Sequence, residues 1–350
     1  MSETVLVTGA TGFIAQHCIL QLLDAGYQVR GTARSDGRTQ EVADILAPHL
    51  SDQARQRLRQ DFEVVAADLT SDLGWDAAVA GCRFVLHLAS PLPSSPPKDE
   101  QEVIIPARDG ALRVLRAAST AGVERVVLTS SVAAICFGRD RDHLFTEDDW
   151  SDIDGPNIGA YERSKTIAER AAWAFMDSLA PQSRMELVVI NPGLVLGPLL
   201  SREWSTSGEL VKKLLERDVP AVPDFEFAMV DVRDVAAAHL AAMVTPEASG
   251  QRFICCIESH AMREVAQILA DEFGAKGFKV PTGRLPNFLL RIVAIWDKQA
   301  RLLLPEIGQS VNLDNSKIRR VLGLAPRDLH EMTVSMANSM IQYGVVTPRR

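Results

Sequence analysis

Residues Thr4 to Ala15 read TVLVTGATGFIA, an apolar run that passes through a glycine-bearing loop directly into a helical pattern. Val5, Leu6 and Val7 form the unbroken apolar stretch expected of a strand buried on both faces. Gly9 permits the tight turn that follows. Gly12 lets a ligand approach the loop formed with Thr11, Phe13 and Ile14. Ala15 fills the third small position, whose task is close packing of the helix. The first turn of such a helix carries free N–H groups and the positive end of the dipole, so it suits an anionic pyrophosphate. Strand, loop and helix in that order predict a dinucleotide-binding unit. A tight turn that holds no ligand is the alternative reading of the same residues.

Outward from this loop, short Val-, Ile- and Leu-rich runs alternate with helical patterns to about residue 195. The strands are expected at Thr4 to Thr8, Gln28 to Ala33, Glu63 to Ala66, Phe84 to Leu88, Arg125 to Thr129 and Glu186 to Ile190. Helices are expected over Ile14 to Ala25, Glu41 to Ala47, Trp75 to Ala80, Ile105 to Ala121 and Ala160 to Leu179. The alternation predicts an α/β fold: a Rossmann-type doubly wound parallel sheet with a smaller C-terminal substrate lobe. After Pro192 the pattern changes, with Pro198, Pro220 and Pro223 breaking the chain and Trp204, Phe225 and Phe227 scattered in loop-like sequence. The expected organisation is a body over 1–195, with returns at about 229–257, and a lobe over 196–350.

With 350 residues the chain can bury a large core, and its formal charge of −8 with no dense Lys/Arg block argues against a nucleic-acid footprint. A small-molecule partner is expected. The apolar stretch Phe288 to Trp296 is broken by Arg291 and falls short of the roughly 20 residues a membrane span needs. The start MSETVLVTG runs into a strand without a secretory pattern, so a cytoplasmic location is expected. Cys18, Cys82, Cys136, Cys255 and Cys256 lack metal-ligand spacing and read as reduced, buried thiols, with no metal site.

The second strand ends in VRGTARSDGR, where an NAD site usually carries an acidic residue for the adenosine ribose. Arg34, with Ser35 and Arg38 nearby, instead suits the planar charge-assisted clamping of a 2′-phosphate, which favours NADP(H). A solvated surface arginine is the plainer alternative for each. Asp68 ends the third strand, followed by Leu69, and its carboxylate suits an adenine amino group or a turn cap. Leu88, Ala89 and Ser90 end the fourth strand and, with the proline-rich loop Pro91 to Pro97, should pass close to the cofactor. His87 reads as a structural strand-end residue.

Tyr161 and Lys165 stand one helical turn apart in AYERSKTIAERAAWAF, thirty residues after the strand-end serine Ser131. Residues four apart share a helix face, so the ammonium can lower the phenol's pKa and make a proton-transfer device. Taken singly, Ser131 could cap a strand end and Lys165 could pair with Glu162 or Glu169. Their joint placement after the appropriate strands favours chemistry. Asp231 and Asp234 in DVRDVAAAHL read as cap and dipole partners, and Arg233 as an anchor between lobe and body.

These motifs, TGATGFIA, ADL, LHLASP, VVLTSS, YERSK, NPGLVLGP and DVRDVAAAHL in that order, resemble the extended short-chain dehydrogenase/reductase family across nearly the whole chain. Arg34, NPGLVLGP and DNSKIRRVLGLAPR are similar to its dihydroflavonol 4-reductase, cinnamoyl-CoA reductase and methylglyoxal/aldehyde reductase branch. The resemblance implies Ser131, Tyr161 and Lys165 as the catalytic set. It places Pro192 and Val195 against the nicotinamide, with Thr129 and Ser130 along the same edge. It implies hydride transfer from NADPH to a carbonyl carbon, with Tyr161 giving a proton to the oxygen, Ser131 holding that oxygen and Lys165 binding the ribose. Two departures stand out: Ala15 replaces a common glycine, and PARDGAL lacks the asparagine often found in the central helix.

Apolar residues near these segments, Pro91, Val132, Phe137, Leu199, Trp204, Phe227 and Met229, are expected to form a substrate pocket for a fairly apolar aldehyde or ketone. Three other readings remain. A nucleotide-sugar epimerase or dehydratase would need diphosphate-binding cations such as Arg202, Lys212, Lys213 or Arg217. Oxidation of a hydroxysteroid-like alcohol is the same chemistry run in the other direction. A non-catalytic NADP-binding sensor would be expected to lack part of the Ser–Tyr–Lys set. The resemblance allows a monomer or a homodimer, the latter through the helices holding Ile105 to Ala118 and Tyr161, with the apolar segment Leu285 to Leu304 as another contact.

Overall fold

The computed structural model describes residues 3–90, 97, 99–180, 183, 185–204, 207–289, 304 and 307–348. Pro91, the proline-rich loop up to residue 96 and most of the apolar segment 285–304 lie outside the described residues. The body begins β1 (Thr4–Val7), α1 (Phe13–Asp24), β2 (Gln28–Ala33), α2 (Thr39–Leu46), α3 (Asp52–Asp61), β3 (Phe62–Ala66), α4 (Trp75–Val79) and β4 (Phe84–His87). It continues α5 (Gln101–Thr120), β5 (Arg125–Thr129), β6 (Leu144–Phe145), α6 (Ala160–Ser178), β7 (Glu186–Pro192) and β8 (Leu194–Leu196). Then follow α7 (Gly208–Leu215), β9 (Glu226–Asp231), α8 (Val232–Val244), β10 (Arg252–Cys255), β11 (Ser259–Ala261) and α9 (Met262–Phe273). The chain closes with β12 (Asn312–Leu313), α10 (Ser316–Leu322) and α11 (Leu329–Gln342).

Seven strands form one sheet in the order β10-β7-β5-β4-β1-β2-β3, with every neighbouring pair parallel. Winding reverses between β1 and β4, and a doubly wound sheet opens a crevice at such a point, along the carboxyl edge. This is the Rossmann-type architecture that the alternating runs predict. Period-two alternation feeds both faces at once: Val5 and Val7 pack with α1 and α8, while Leu6 packs with Trp75, Val114 and Leu115. A further apolar cluster joins Val211, Met229, Phe273, Met336 and Met340, from α7, β9, α9 and α11, with Phe225 just before β9. Fully burying such a large side chain contributes about 1.5–3 kcal/mol.

Two elements differ from the sequence expectation for identifiable reasons. Helix α3 escapes a periodicity search because its sequence, DQARQRLRQD, has only Ala54 and Leu58 to bury, although these share a face. Its start is fixed by Ser51, whose hydroxyl accepts from the Ala54 N–H. Helix α5 begins at Gln101 rather than Ile105. Pro106 suggests a boundary, but so near the start its missing N–H removes only one intrahelical bond. Asp231 caps α8 by accepting from the Arg233 N–H at 2.8 Å. Arg233 then reaches α11, meeting Glu331 at 3.2 Å and Ser335 at 3.3 Å. No described helix is long and apolar enough to cross a membrane.

Candidate active site

The loop after β1 is stitched to the end of β4 by one side chain. The Thr8 hydroxyl accepts from the Leu88 and Ala89 N–H groups at 3.0 and 2.9 Å, which leaves its proton for His87 Nδ1 at 2.8 Å. Burial lowers the His87 pKa to about 3, so the ring is neutral and structural. Gly9 has φ +70, and a Cβ there would come within 3.1 Å of the Ala89 Cβ, so glycine allows the two strand ends to meet. Gly12, the residue before α1, is extended, makes no side-chain cap, and no acidic residue follows in the first turn. The first-turn N–H groups are left for an anionic ligand.

A cleft of about 970 Å³ runs along this carboxyl edge. At one end it is lined by Gly9, Thr11, Gly12, Phe13 and Ile14, with Arg34 from the end of β2 and Asp68 and Leu69 from the end of β3. Leu88, Ala89 and Ser90 follow, then Thr129, Ser131, Tyr161, Lys165, Pro192 and Val195. Val132, Phe137 and Phe227 line the far end. Asp68 holds a tight turn, accepting from the Thr70 N–H and hydroxyl at 2.7 Å each. Those bonds keep its carboxyl below the usual carboxylate range. Thr129 is committed inward: its hydroxyl lies 2.6 Å from His239 Nε2, while His239 Nδ1 sits 2.7 Å from the Val235 carbonyl. Burial lowers the His239 pKa to about 4, so its neutral ring donates to Val235 and accepts from Thr129.

Tyr161 and Lys165 lie in successive turns of α6 and face the Ser131 end of β5 across the cleft. Tyr161 keeps 38% of its surface on the open cleft, yet the walls desolvate its hydroxyl and raise its pKa, a shift that the nearby Ser131 opposes. The direction is opposite to the lowering by lysine expected from the sequence, because desolvation is the largest influence on the phenol. Lys165 Nζ donates to Ser90 Oγ at 3.1 Å and stands 5.9 Å from the Tyr161 ring centre. Desolvation lowers the lysine to about 8, with the charge of Glu169 opposing. Ser131 is itself oriented, accepting from the Ala133 N–H at 3.1 Å and donating to the Pro192 carbonyl at 3.4 Å.

Four expected site residues stand elsewhere. Arg38 begins α2 and its guanidinium is held by Glu41, three residues on, so it does not line the cleft. The (i, i+3) spacing in RTQE was the available signal. Leu199 and Met229 are sealed at 1% and 0% exposure in the apolar cluster that also holds Val211, Phe273 and Met336. Leu199 is pinned there by its N–H on Ser339 Oγ, and Met229 falls on the face of β9 turned away from the body. Trp204 is 42% exposed, donating to Glu209 at 2.9 Å with Lys212 over its ring. Residues not anticipated line the cleft in their place: Glu226 and Ala228 from β9, Trp75 from α4, and Val311 and Leu313 from more than a hundred residues beyond Pro192.

The donor set fits a dinucleotide phosphate. An uncapped helix start faces the cleft at one end beside Arg34, and the Ser130 hydroxyl, buried on the cleft wall at the other, has no partner among the described residues. A family model for NAD dependent epimerase/dehydratases matches residues 5–256. The chain belongs to this family. Within it, the chain is 30% identical to the NADPH-dependent methylglyoxal reductase GRE2 of Saccharomyces cerevisiae, over 97% of this chain and 98% of that one. It is 36% identical to cinnamoyl-CoA reductase 2 of Medicago truncatula, over 77% of each. A crystal structure of the yeast methylglyoxal/isovaleraldehyde reductase Gre2 complexed with NADPH superposes with a TM-score of 0.79 at 29% identity, covering 98% of this chain and 99% of that one.

In this member of the epimerase/dehydratase family, the cations named for a sugar-nucleotide diphosphate do not line the cleft among the described residues. Among the described residues, Arg202, Lys212, Lys213 and Arg217 are all absent from its lining, and Lys212 pairs with Glu216 at 2.7 Å. The far end is walled instead by Val132, Phe137, Phe227, Val311 and Leu313, with the carboxylates Glu102 and Glu226 also on the cleft wall.

Proposed function

We propose that this protein is an NADPH-dependent reductase of small, largely apolar aldehydes or ketones, with Tyr161 as proton donor. The observation that carries the reading is that Tyr161, Ser131 and Lys165 line one stretch of a cleft whose other end holds the glycine loop and Arg34. The similarity to the NADPH-dependent methylglyoxal reductase and to cinnamoyl-CoA reductase supports the same reaction class.

Bound NADPH would supply the hydride for the carbonyl carbon. Gly9, Thr11, Gly12, Phe13 and Ile14 would hold its pyrophosphate, and Arg34 its 2′-phosphate. Asp68, Leu69, Leu88, Ala89 and Ser90 would line its path. Thr129, Pro192 and Val195 would bound the nicotinamide end.

Ser131 and Tyr161 would together hold the carbonyl oxygen, and the Tyr161 proton passes to that oxygen to complete the alcohol. A phenol with a raised pKa keeps its proton until the oxygen becomes basic. The Lys165 ammonium, released from Ser90, would bind the ribose hydroxyls and favour the phenolate left behind. Val132, Phe137, Phe227, Val311 and Leu313 would exclude water from the reacting carbon. A cytoplasmic setting suits the five cysteines, which are buried and unbridged.

The test is cofactor absorbance with NADPH or NADH and a panel of aromatic and aliphatic aldehydes and ketones. NADPH consumption with an apolar carbonyl, and little with NADH, is expected. No consumption with any carbonyl would overturn the reading.

A further inference from the structure

Tyr161, Lys165 and Glu169 form a single stripe on α6, each one turn from the next, and the last of them is sealed from solvent. Its two carboxylate oxygens have separate partners. Oε1 accepts from Arg252 Nε at 2.5 Å and from the Trp173 indole at 3.4 Å, while Oε2 accepts from Asn191 Nδ2 at 2.8 Å. The same Asn191 amide donates to the Ser131 carbonyl at 3.1 Å. Arg252 is anchored in turn by the Glu147 and Asp149 carbonyls at 2.7 and 2.6 Å and by the face of Trp150 at 3.9 Å.

Glu169, Asn191 and Arg252 are 1%, 0% and 7% exposed, respectively, and they come from α6, β7 and β10. A buried ion pair is an inefficient way to stabilise a fold, since well-packed apolar residues often do as well or better. Its place here, between the Ser131 main chain and the Lys165 turn, gives it another use.

We infer that Glu169 is a positioning residue for the reaction, fixing the Ser131 main chain through Asn191 while presenting its negative charge to the Lys165 ammonium. This inference rests on the assignment of Ser131, Tyr161 and Lys165 to the chemistry. Around Lys165 the other ionisable groups are Tyr161 and Glu162 on its own helix, the latter also on the cleft wall, and neutral His87 from β4. Arg252 from β10 stands behind Glu169. Packed α5 carries Glu102 on the cleft wall and is preceded by Glu100, paired with Arg163. Among these, Glu169 is the anion whose field raises Lys165 against desolvation.

Two variants separate positioning from simple structure. Asn191→Ala keeps the Glu169–Arg252 pair and removes the amide that joins Glu169 to the Ser131 carbonyl. It should lower kcat about tenfold while NADPH affinity stays within about twofold, because a small misplacement at a reacting group is costly. Glu169→Gln should lose more activity as pH rises, since Lys165 then gives up its proton below about 8. A merely structural role would lower the unfolding temperature with kcat and the pH profile unchanged in both variants, and that result would overturn the inference.

Lys165 is also read without turnover, by its rate of acylation against pH followed by peptide mass spectrometry. A midpoint in Glu169→Gln equal to that of the parent protein would sink the electrostatic half even if no carbonyl substrate is found. A parent protein that reduces no carbonyl, with a shifted Lys165 midpoint in the variant, would remove the reductase reading and leave the Glu169 coupling standing.

Discussion

Replacing Arg34 by alanine isolates the choice of cofactor. Its guanidinium stands exposed on the cleft wall at the end of β2, and its field reaches Asp68 across the cleft. Hydrogen bonds to a charged group contribute about 1.5–3 kcal/mol, and solvent exposure places this one at the lower end, about 1.5 kcal/mol. At roughly 1.4 kcal/mol per factor of ten, Arg34→Ala should raise the NADPH dissociation constant about tenfold. NADH lacks the 2′-phosphate, so its affinity should move by less than about twofold.

Arg38→Ala is the internal control. Glu41 already holds that guanidinium, and NADPH affinity should change by less than about threefold. Trp75 lines the cleft, so quenching of tryptophan fluorescence provides the titration. The Arg34 effect should shrink with added salt, as expected for an exposed charge. Equal weakening of NADPH and NADH by Arg34→Ala, or a larger effect from Arg38→Ala, would refute the reasoning.

Four further outcomes are expected. Tyr161→Phe should reduce kcat by about 10²- to 10⁴-fold with NADPH binding retained; wild-type turnover in that variant would remove the tyrosine from the chemistry. The ammonium of Lys165 is present below its pKa and lost as pH rises through about 8, so kcat/KM should fall above that value, and a flat profile well beyond it contradicts the role. Gly9→Val places a branched side chain at φ +70, 3.1 Å from the Ala89 Cβ. It should cost about 1–3 kcal/mol of stability and weaken NADPH binding, seen together in thermal unfolding with and without cofactor. Val311→Trp should raise KM for a bulky aromatic carbonyl roughly tenfold while a small aliphatic aldehyde is less affected, whereas equal effects on both would place Val311 outside the substrate end.

Local signals in the chain carry far, because strands, helix starts and glycine turns depend on near neighbours. The alternating apolar runs determine the doubly wound sheet, and each large strand appears within a few residues of its expected place. The order of motifs from TGATGFIA to DVRDVAAAHL carries the family. The residues named for the glycine loop, Arg34 and the Ser–Tyr–Lys set belong to strand ends and one helix face, and the parallel winding gathers them on one edge.

What only the tertiary structure decided depends on contacts between distant segments. Leu199 and Met229 look like pocket residues in isolation, yet the packing of β9 and α11 turns them into core. Val311 and Leu313 reach the cleft because β12 pairs with β6 far upstream. The direction of the Tyr161 shift follows from desolvation by the cleft, which a four-residue spacing cannot reveal. Arg252, Glu169 and Asn191 are ordinary polar residues in sequence. Burial in a low-dielectric interior requires their charges and amides to find one another, and only the folded sheet brings β10, α6 and β7 close enough for that.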